Sequence, residues 1–289
     1  MNNGDSLRIA VQKSGRLSDD TIDLLENIGL RFDGYKNRLM VPSRNYNVEI
    51  LLIRDDDIPE YVQDGVCELG FVGANVTAEK QAGVEVLRDL DYGTCRLSVA
   101  VPKHHGWNSI KDLENKRIAT SYPNLTREYF KERGINVHIV EISGAVEIAP
   151  TLEVADAVCD LVSSGGTLKA NGLIELEQIF YSECQLIKTR KPIDPKKQEL
   201  IDKFLLRIEG RQKAERSRYI MMNAPEDALD EITSIIPSLN SPTVLPLADQ
   251  NMIAIHSVIP LEEFWEVMEQ LKEAGATGIV VMPIENMIA

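Results

Sequence analysis

The stretch from Leu152 to Leu168 reads LEVADAVCDLVSSGGTL and decides the fold class. Its apolar part, Ala157 to Val162, predicts a buried strand, and the serines, glycines and threonine that follow predict a turn into a helix. The backbone N–H groups of such a turn can hold a phosphate without a basic side chain. Asp156 and Asp160 on this strand could accept hydrogen bonds from sugar hydroxyls or hold a hydrated Mg²⁺. We therefore predict a sugar-phosphate site in an α/β fold, although an ordinary strand-to-helix turn has the same composition.

Upstream of this stretch, apolar runs alternate with helical patterns. Leu7 to Val11, Val48 to Ile53 and Leu69 to Gly73 predict strands. These runs lack polar alternation, so both of their faces should be buried, which is typical of a parallel sheet covered by helices. Ser18 is expected to cap the first helix, and Asn75 is expected to cap the helix after the third strand.

The same pattern starts again near Cys95, which indicates a second α/β lobe. It contains a predicted helix from Asn124 to Gly134 and four predicted strands, namely Arg96–Val101, Arg117–Thr120, Asn136–Glu141 and Ala157–Val162. A long charged helix, Lys196 to Arg218, closes this part of the chain, and its mixed charges are typical of a solvated face.

After Arg218 the order of elements changes to β-α-β-β-α-β. The predicted strands are Tyr219–Asn223, Thr243–Leu245, Met252–Val258 and Gly278–Met282, and the predicted helices are Pro225–Ile235 and Leu261–Ala274. This order is that of a ferredoxin-like module. We therefore expect a domain boundary near Arg218.

Composition limits the classes of function. The formal net charge is −14, and no face rich in Lys or Arg is evident, which argues against a nucleic-acid partner. No apolar run reaches the roughly 18 residues of a membrane helix. If the substrates are phosphates, the site must collect positive charge locally, from side chains, backbone amides or Mg²⁺, against this global field.

The cysteines and the first residues bear on the cellular compartment. Cys67, Cys95, Cys159 and Cys184 lie far apart and form no CxxC pair, so we expect free thiols in a reducing environment. The polar start of the chain has no apolar segment typical of a secretory signal. Both features favour a cytoplasmic protein.

The phosphate turn also carries a resemblance to known families. Asp160 to Thr167 (DLVSSGGT) resembles the phosphoribosyl pyrophosphate (PRPP) loop of phosphoribosyltransferases, and its extension from Ala155 to Leu173 is similar to the signature of ATP phosphoribosyltransferases. Other blocks of that family have counterparts here in the same order, namely Ala10–Leu17, Gly70–Asn75, Ile142–Pro150, Ser241–Ala248 and Gly275–Gly278. The last two resemble the C-terminal domain of the long, histidine-regulated form.

The resemblance implies a fold and a division into domains. It implies a two-lobed catalytic domain of the type II periplasmic-binding-protein kind, followed by a ferredoxin-like βαββαβ regulatory domain. Lobe I would comprise residues 1–93 and 180–218, lobe II with the PRPP loop residues 94–179, and the regulatory domain residues 219–289.

The family reaction joins ATP to PRPP at the start of histidine biosynthesis and gives N1-(5-phosphoribosyl)-ATP and pyrophosphate. Adenine N1 already has a free lone pair, so we expect no essential histidine and no covalent enzyme intermediate. Catalysis would then consist mostly of positioning the two substrates and stabilising the charge that develops in the transition state.

The resemblance assigns residues to this reaction. It implies that PRPP is held by Asp156, Asp160, Leu161, Val162, Ser163, Ser164, Gly165, Gly166 and Thr167. ATP or pyrophosphate would be bound by Lys13, Gly15, Arg16, Arg54 and Gly73. Asp156, Asp160 and Lys13 are the candidate catalytic residues.

Mg²⁺ is the expected cofactor, held mainly by substrate oxygens and, among protein groups, by Glu141 and Asp156. The alternatives are that Lys13 and Arg16 form a solvated loop pair and that Glu141 is a structural cap.

Regulation and assembly are implied in the same way. Free histidine would bind as an inhibitor near Asn223, Leu239, Ser241, Thr243 and Gly278, in a homo-oligomer between dimer and hexamer and without a separate regulatory subunit. Small residues and hydroxyls at the start of the second strand of the module suit a zwitterionic amino acid, but they could also be only a loop before an edge strand.

Three other functions remain open at this level. The chain could transfer phosphoribose to another base, bind a small ligand without catalysis, or act as a regulatory interaction protein built around its last module.

Overall fold

The computed structural model describes residues 6–34, 38–236, 241–249 and 251–288. The chain divides into two compact units, Met1–Gln198 and Glu199–Ala289. This division falls inside the long charged helix, because the second half of that helix packs on the C-terminal segment. Gly210 accepts a hydrogen bond from the Met287 N–H, and the Arg211 guanidinium donates to the Glu285 carbonyl.

The first unit contains two mixed sheets and their helices. In chain order its elements are β1 (Leu7–Gln12), α1 (Arg16–Asn27), β2 (Met40–Pro42), β3 (Val48–Ile53), α2 (Ile58–Gln63), β4 (Leu69–Gly73), α3 (Ala74–Lys80), β5 (Glu85–Asp89), β6 (Cys95–Pro102), β7 (Arg117–Thr120), α4 (Pro123–Glu132), β8 (His138–Glu141), β9 (Ala157–Val162), α5 (Gly166–Ala170), β10 (Leu173–Ser182), β11 (Cys184–Lys188) and the start of α6 (Pro195–Glu215). Short 3₁₀ turns occur at Asp55–Asp57, Lys103–His105, Ile110–Leu113 and Val146–Ile148.

Lobe I is built on a sheet with the strand order β2-β3-β1-β4-β11-β5. The central strands β3, β1 and β4 are parallel, whereas β2 and β11 run antiparallel to their neighbours. The prediction of a parallel sheet therefore holds for the three strands on which it was based, and β2, β11 and β5 add antiparallel pairs at the two sides. The parallel strands are the apolar runs seen in the sequence, and β4 is buried along its whole length.

Lobe II is built on a sheet with the strand order β10-β6-β9-β7-β8. Strands β9, β7 and β8 are parallel. Strand β6 runs antiparallel to β9, and β10 runs antiparallel to β6. The predicted bounds of β7 and β9 agree with the structure, because both are short apolar strands in the centre of a buried sheet.

Two neighbouring connections join the lobes. The chain leaves lobe I after β5 and returns between β10 and β11 at Glu183. The two connections are hydrogen-bonded to each other, since the Leu90 N–H donates to the Cys184 carbonyl and the Cys184 N–H donates to the Tyr92 carbonyl, both at 2.9 Å. The predicted two-lobed α/β fold is confirmed.

The two predicted helix caps are wrong. Helix α1 begins at Arg16, with Gly15 at the capping position, so Ser18 lies inside its first turn. Helix α3 begins at Ala74, with Gly73 at the capping position, so Asn75 is also a first-turn residue. Gly15 has a φ of 120°, which favours glycine, whereas Gly73 has an ordinary extended conformation with a φ of −65°.

The second unit is a four-stranded antiparallel sheet with two helices. After α6 it contains β12 (Ser217–Pro225), α7 (Leu229–Ile235), β13 (Thr243–Pro246), β14 (Met252–Pro260), α8 (Phe264–Glu273) and β15 (Thr277–Pro283), with the strand order β13-β14-β12-β15. Its core includes Ile220, Met222, Ile232, Ile255 and Leu271. The predicted βαββαβ order is confirmed.

Two further expectations can be compared with the structure. All four cysteines are free, and Cys67, Cys159 and Cys184 are buried, as predicted. Within the described ranges, no helix has the length and apolar character required to cross a membrane.

Candidate active site

The carboxyl ends of parallel strands bring the predicted site residues to one edge of each lobe. In lobe I, β1 and β3 end side by side, so Lys13 and Arg54 lie at the same edge, and the Lys13 N–H donates to the Ile53 carbonyl at 2.8 Å. In lobe II, β8 ends at Glu141, and β9 ends where the turn Ser163–Gly165 begins. Ligands of open α/β sheets bind at such edges.

A cavity of about 590 Å³ lies between the two lobes of the first unit. Lobe I supplies Asp55, Asp56, Val76, Glu79 and Lys80, and lobe II supplies Ser121, Tyr122, Pro123, Asn124, Arg127, Glu141, Ser143 and Gly144. The cavity is therefore polar and contains charges of both signs. Of the predicted site residues, Glu141 lines it directly.

The predicted phosphate turn has the conformation that such a turn needs. Gly165 has a φ of 77°, in the left-handed region that favours glycine, and it precedes the first residue of α5. Ser163, Ser164 and Thr167 are exposed. The first N–H groups of a helix have no partners within the helix. The turn therefore offers backbone and hydroxyl donors to a ligand.

Arg96 holds the start of this turn by a hydrogen bond, and this role was not predicted from the sequence. Its guanidinium makes two hydrogen bonds of 2.6 Å to the two carboxylate oxygens of Glu175. The remaining nitrogen donates to the Ser163 carbonyl at 3.1 Å. Arg96 thus fixes the start of the turn from the neighbouring strand β6. No local pattern indicates this role of Arg96, because the pairing of β6 with β9 and β10 joins segments that are distant in the chain.

Asp160 lies half-buried in β9, close to the turn. Its Oδ1 accepts a hydrogen bond from the Leu161 N–H at 2.8 Å. Burial raises the pKa of its carboxyl, and the charge of Glu147 adds to that rise. Burial also raises the pKa of the Tyr122 phenol, and the charge of Asp160 is the next cause. The Asp160 carboxylate is therefore electrostatically coupled to the cavity wall.

Asp156 is placed differently from Asp160. It precedes β9, at the opposite end of the strand from the turn, so the two Cα atoms are roughly 13 Å apart. Its carboxylate accepts hydrogen bonds of 2.8 Å from the Arg117 N–H and from the Arg117 guanidinium. These bonds hold the pKa of the Asp156 carboxyl below its usual range. The predicted role of Asp156 in binding ribose, in binding Mg²⁺ and in catalysis is therefore corrected to a structural one.

We expect Asp156→Asn to keep its activity within about threefold of wild type, because its carboxylate pairs with Arg117 away from the cavity. The variant should melt about 2–4 °C lower at neutral pH. Folding lowers the pKa of this carboxyl, so the carboxylate stabilises the folded protein at pH values above the pKa of the unfolded chain. This stabilisation is lost as the pH falls through the pKa of the folded protein. The difference in melting temperature between variant and wild type should therefore shrink in strong acid. A loss of turnover as large as that of an Asp160 variant would return Asp156 to the site.

The predicted metal ligands do not meet. Glu141 is the last residue of β8, at the carboxyl end of that strand. Asp156 precedes β9, at the amino end of a strand that runs in the same direction as β8. In the part of the chain that the structure describes, no three His, Cys, Asp or Glu side chains are grouped as metal ligands. The pairing of Glu141 with Asp156 is therefore wrong.

Two predicted glycines have packing reasons for being glycine. A Cβ at Gly15 would come within 2.8 Å of the Gln12 side-chain nitrogen, and the φ of 120° there is strained for other residues. A Cβ at Gly73 would come within 2.4 Å of the Asn75 Oδ1. Arg16 is the first residue of α1, directly after the loop that carries Lys13.

Tyr122, which lines the cavity, and Asn75, which contacts Tyr122, were not predicted as site residues. The Asn75 Nδ2 donates to the Tyr122 hydroxyl at 3.0 Å, and its Oδ1 accepts from the Ser182 hydroxyl at 2.7 Å. Tyr122 lies two residues after the end of the buried strand β7, and this position beyond a strand end could have indicated a site residue. The partner of Tyr122 could not be found, because it comes from the other lobe.

In the second unit, the predicted histidine-binding residues are only partly together. Asn223 and Gly278 are neighbours, since a Cβ at Gly278 would lie 3.8 Å from the Asn223 Nδ2. Thr243 lies on β13, two strands away from β12, and both Thr243 and Ser241 are exposed. Leu239 lies outside the described residues.

The chain was compared with known proteins. A family model described as ATP phosphoribosyltransferase matches residues 54–210, and one described as the HisG C-terminal domain matches residues 214–286. An ATP phosphoribosyltransferase from Cytophaga hutchinsonii is 44% identical over 282 residues, which cover 98% of each chain.

Solved structures are also similar to this chain. The ATP phosphoribosyl transferase (HisG:HisZ) complex from Thermotoga maritima matches with a TM-score of 0.60 and 28% identity, covering 70% of this chain and 98% of that one. A substrate-binding protein of an amino acid ABC transporter matches with a TM-score of 0.49 and 15% identity, covering 72% of this chain and 94% of that one.

The family matches span both units, and the full-length relative covers nearly every residue of the chain. This chain belongs to the ATP phosphoribosyltransferase family, in the form that carries the HisG C-terminal domain.

Proposed function

We propose that this chain transfers the 5-phosphoribosyl group of PRPP to N1 of ATP and releases pyrophosphate, as the first step of histidine biosynthesis. The observation that carries the proposal is the cleft of about 590 Å³, with a phosphate turn at the edge of one lobe and cations at the edge of the other. The family membership supplies the reaction class.

The chemistry requires little from acid or base groups. The N1 lone pair forms a bond to C1 of the ribose, while the bond from C1 to the pyrophosphate oxygen breaks and its electrons leave with pyrophosphate. N1 carries no proton in neutral adenine, so no side chain has to remove one. The protein contributes alignment of the two substrates and compensation of the charge that develops at C1.

PRPP is assigned to lobe II. The turn from Ser163 to Thr167 holds the 5-phosphate through backbone and hydroxyl donors, and Arg96 keeps this turn in place from behind. Asp160 accepts hydrogen bonds from the ribose hydroxyls. Its negative charge would favour the positive charge that develops at the reacting carbon.

ATP is assigned to the cavity between the lobes. Tyr122 and Val76 offer an aromatic and an apolar surface for the adenine. Lys80 and Arg127 in the cavity, with Lys13 and Arg54 at the neighbouring edge, provide positive charge for the phosphate groups.

Mg²⁺ is proposed as the cofactor, carried by the substrates. The cavity contains the carboxylates of Asp55, Asp56 and Glu141, which suit a hydrated Mg²⁺ as outer ligands. Substrate oxygens and water would supply most of its direct ligands, since the described residues hold no grouped set of three. When bound, the ion neutralises charge on the leaving pyrophosphate.

Regulation is proposed to reside in the second unit. Free histidine would inhibit by binding at its βαββαβ sheet, in a homo-oligomer of up to six subunits. The matched chain of the HisG:HisZ complex covers 70% of this chain, whereas this chain carries the HisG C-terminal domain itself. We therefore propose no separate regulatory subunit. The four free thiols support a reducing, cytoplasmic location.

Base specificity tests this proposal against a phosphoribosyltransferase for another base. With PRPP and Mg²⁺ present, pyrophosphate release should require ATP, and guanine or orotate should give less than about a hundredth of that rate, because they lack the triphosphate that the cations bind. Comparable release with a free nucleobase would favour the other transferase. Binding of PRPP with no release for any acceptor would indicate a non-catalytic binding protein.

A further inference from the structure

Glu79, on helix α3 of lobe I, makes contacts that reach across the cleft. Its side chain is buried, with 9% of the residue exposed. One carboxylate oxygen accepts the Asn124 N–H at 2.8 Å, and the other accepts the Leu125 N–H at 3.0 Å. The Asn124 side-chain amide donates back to the Glu79 carbonyl at 3.0 Å. Three hydrogen bonds therefore join α3 to the first turn of α4 in lobe II.

Helix α4 has no cap of its own. The residue at its capping position is Tyr122, which makes no side-chain capping hydrogen bond, and the first helical residue is Pro123, which has no N–H. The exposed N–H groups of a helix start need an acceptor, and a carboxylate there also interacts favourably with the helix dipole. Glu79 supplies that acceptor from the other lobe.

The contact lies in the wall of the proposed active site. Glu79 and Asn124 both line the cavity, and Tyr122 stands directly before α4. One turn earlier on α3, Asn75 donates to the Tyr122 hydroxyl. The same face of α3 therefore holds Tyr122 and the start of α4 at two points.

We propose that Glu79 is a positioning residue for the transfer reaction. By capping α4 across the cleft, it fixes the edge of lobe II, which carries the phosphate turn, against the edge of lobe I, which carries Lys13 and Arg54. It touches neither substrate at the reacting atoms, and its effect acts through Tyr122 and α4. This inference rests on the proposed function, since it takes the cleft as the site of both substrates.

The test compares Glu79→Ala with Glu79→Gln. Alanine removes both acceptor oxygens, whereas glutamine keeps one and loses the charge. In Glu79→Ala, kcat should fall at least tenfold, while KM for ATP and for PRPP changes less than threefold, because each lobe keeps its own contacts and only their alignment is lost. Glu79→Gln should recover kcat to within about threefold of wild type.

Glu128→Ala is the matched control. Glu128 is an exposed acid on α4, so the variant has the same change in net charge without touching the cap. Its kcat should stay within twofold of wild type. In hydrogen exchange without substrates, the amides of Asn124 and Leu125 should exchange faster in Glu79→Ala and remain protected in Glu128→Ala.

The inference is overturned if folded Glu79→Ala has a kcat within twofold of wild type, or if Glu79→Gln is as impaired as Glu79→Ala. A role in stability alone would lower the melting temperature and leave kcat per folded molecule unchanged. If Glu79→Ala does not fold, Glu79→Asp gives the same comparison, because its shorter side chain withdraws the carboxylate from α4. If the wild-type protein is inactive, the proposed function is rejected instead. The hydrogen-exchange comparison would then still show whether Glu79 caps α4.

Discussion

Asp160→Asn is expected to lower kcat/KM for PRPP by about 10²- to 10³-fold with the fold intact, a loss typical of removing one preorganised charge-stabilising group from an active site. Asparagine has nearly the same size, so the half-buried position in β9 is preserved. What is lost is a charged acceptor for the ribose hydroxyls and a negative charge beside C1. Initial rates at saturating ATP, with a circular dichroism spectrum to verify folding, measure the effect.

Two further variants serve as a control and as a second test of the phosphate turn. Asp156→Asn makes the same chemical change four residues earlier in the chain and should remain active. Thr167→Ala removes one hydroxyl from the phosphate turn and should lower kcat/KM about tenfold, as expected for a lost donor worth roughly 1–3 kcal/mol. The assignment of the phosphate site is wrong if both Asp160→Asn and Thr167→Ala stay within twofold of wild type.

The second large effect concerns inhibition by histidine. In the double variant Ser241→Ala with Thr243→Ala, half-inhibition should require at least about tenfold more histidine, because two hydroxyl donors to the amino-acid carboxylate are lost. Both residues are exposed at the start of β13 and lie outside the core of the second unit, so folding should be unaffected. Inhibition needs histidine to bind one state of the assembly better than another.

The control for this variant is Thr233→Ala with Ser234→Ala, which makes the same two changes at exposed positions of α7. It should be inhibited like wild type. Uninhibited activity should be the same in all three proteins. If the Ser241 and Thr243 variant stays folded and is inhibited as strongly as wild type, the histidine site lies elsewhere.

The strands with a continuous apolar run were the clearest to predict. Strands β1, β3, β4, β7 and β9 lie in sheet interiors, so burial on both faces left a clear pattern in the sequence. Strands β6, β8 and the four strands of the second unit were also predicted. Strands β2, β5, β10 and β11 were not predicted. Every residue of β5 is exposed or half-buried, and β10 contains two register shifts that disrupt its alternation. Edge strands and returning strands of this kind depend on tertiary pairing, which no local pattern encodes.

In the candidate site too, features within one contiguous segment could be predicted, and contacts between distant segments could not. The phosphate turn and Asp160 could be predicted because strand, turn and helix are contiguous. Asp156 was misassigned because sequence proximity to the turn was taken for spatial proximity, whereas it precedes β9 and faces Arg117. The contact of Glu79 with Asn124 could not be predicted, since it joins two lobes and residues 45 positions apart.

The transfer of phosphoribose to ATP is measured by mixing the purified chain with ATP, PRPP and Mg²⁺ and following the absorbance of N1-substituted adenine. We expect this absorbance to appear only when both substrates and Mg²⁺ are present, together with one pyrophosphate for each product formed, and we expect free histidine to suppress it. Absence of the new absorbance with folded protein, or its appearance without PRPP, would contradict the proposed reaction.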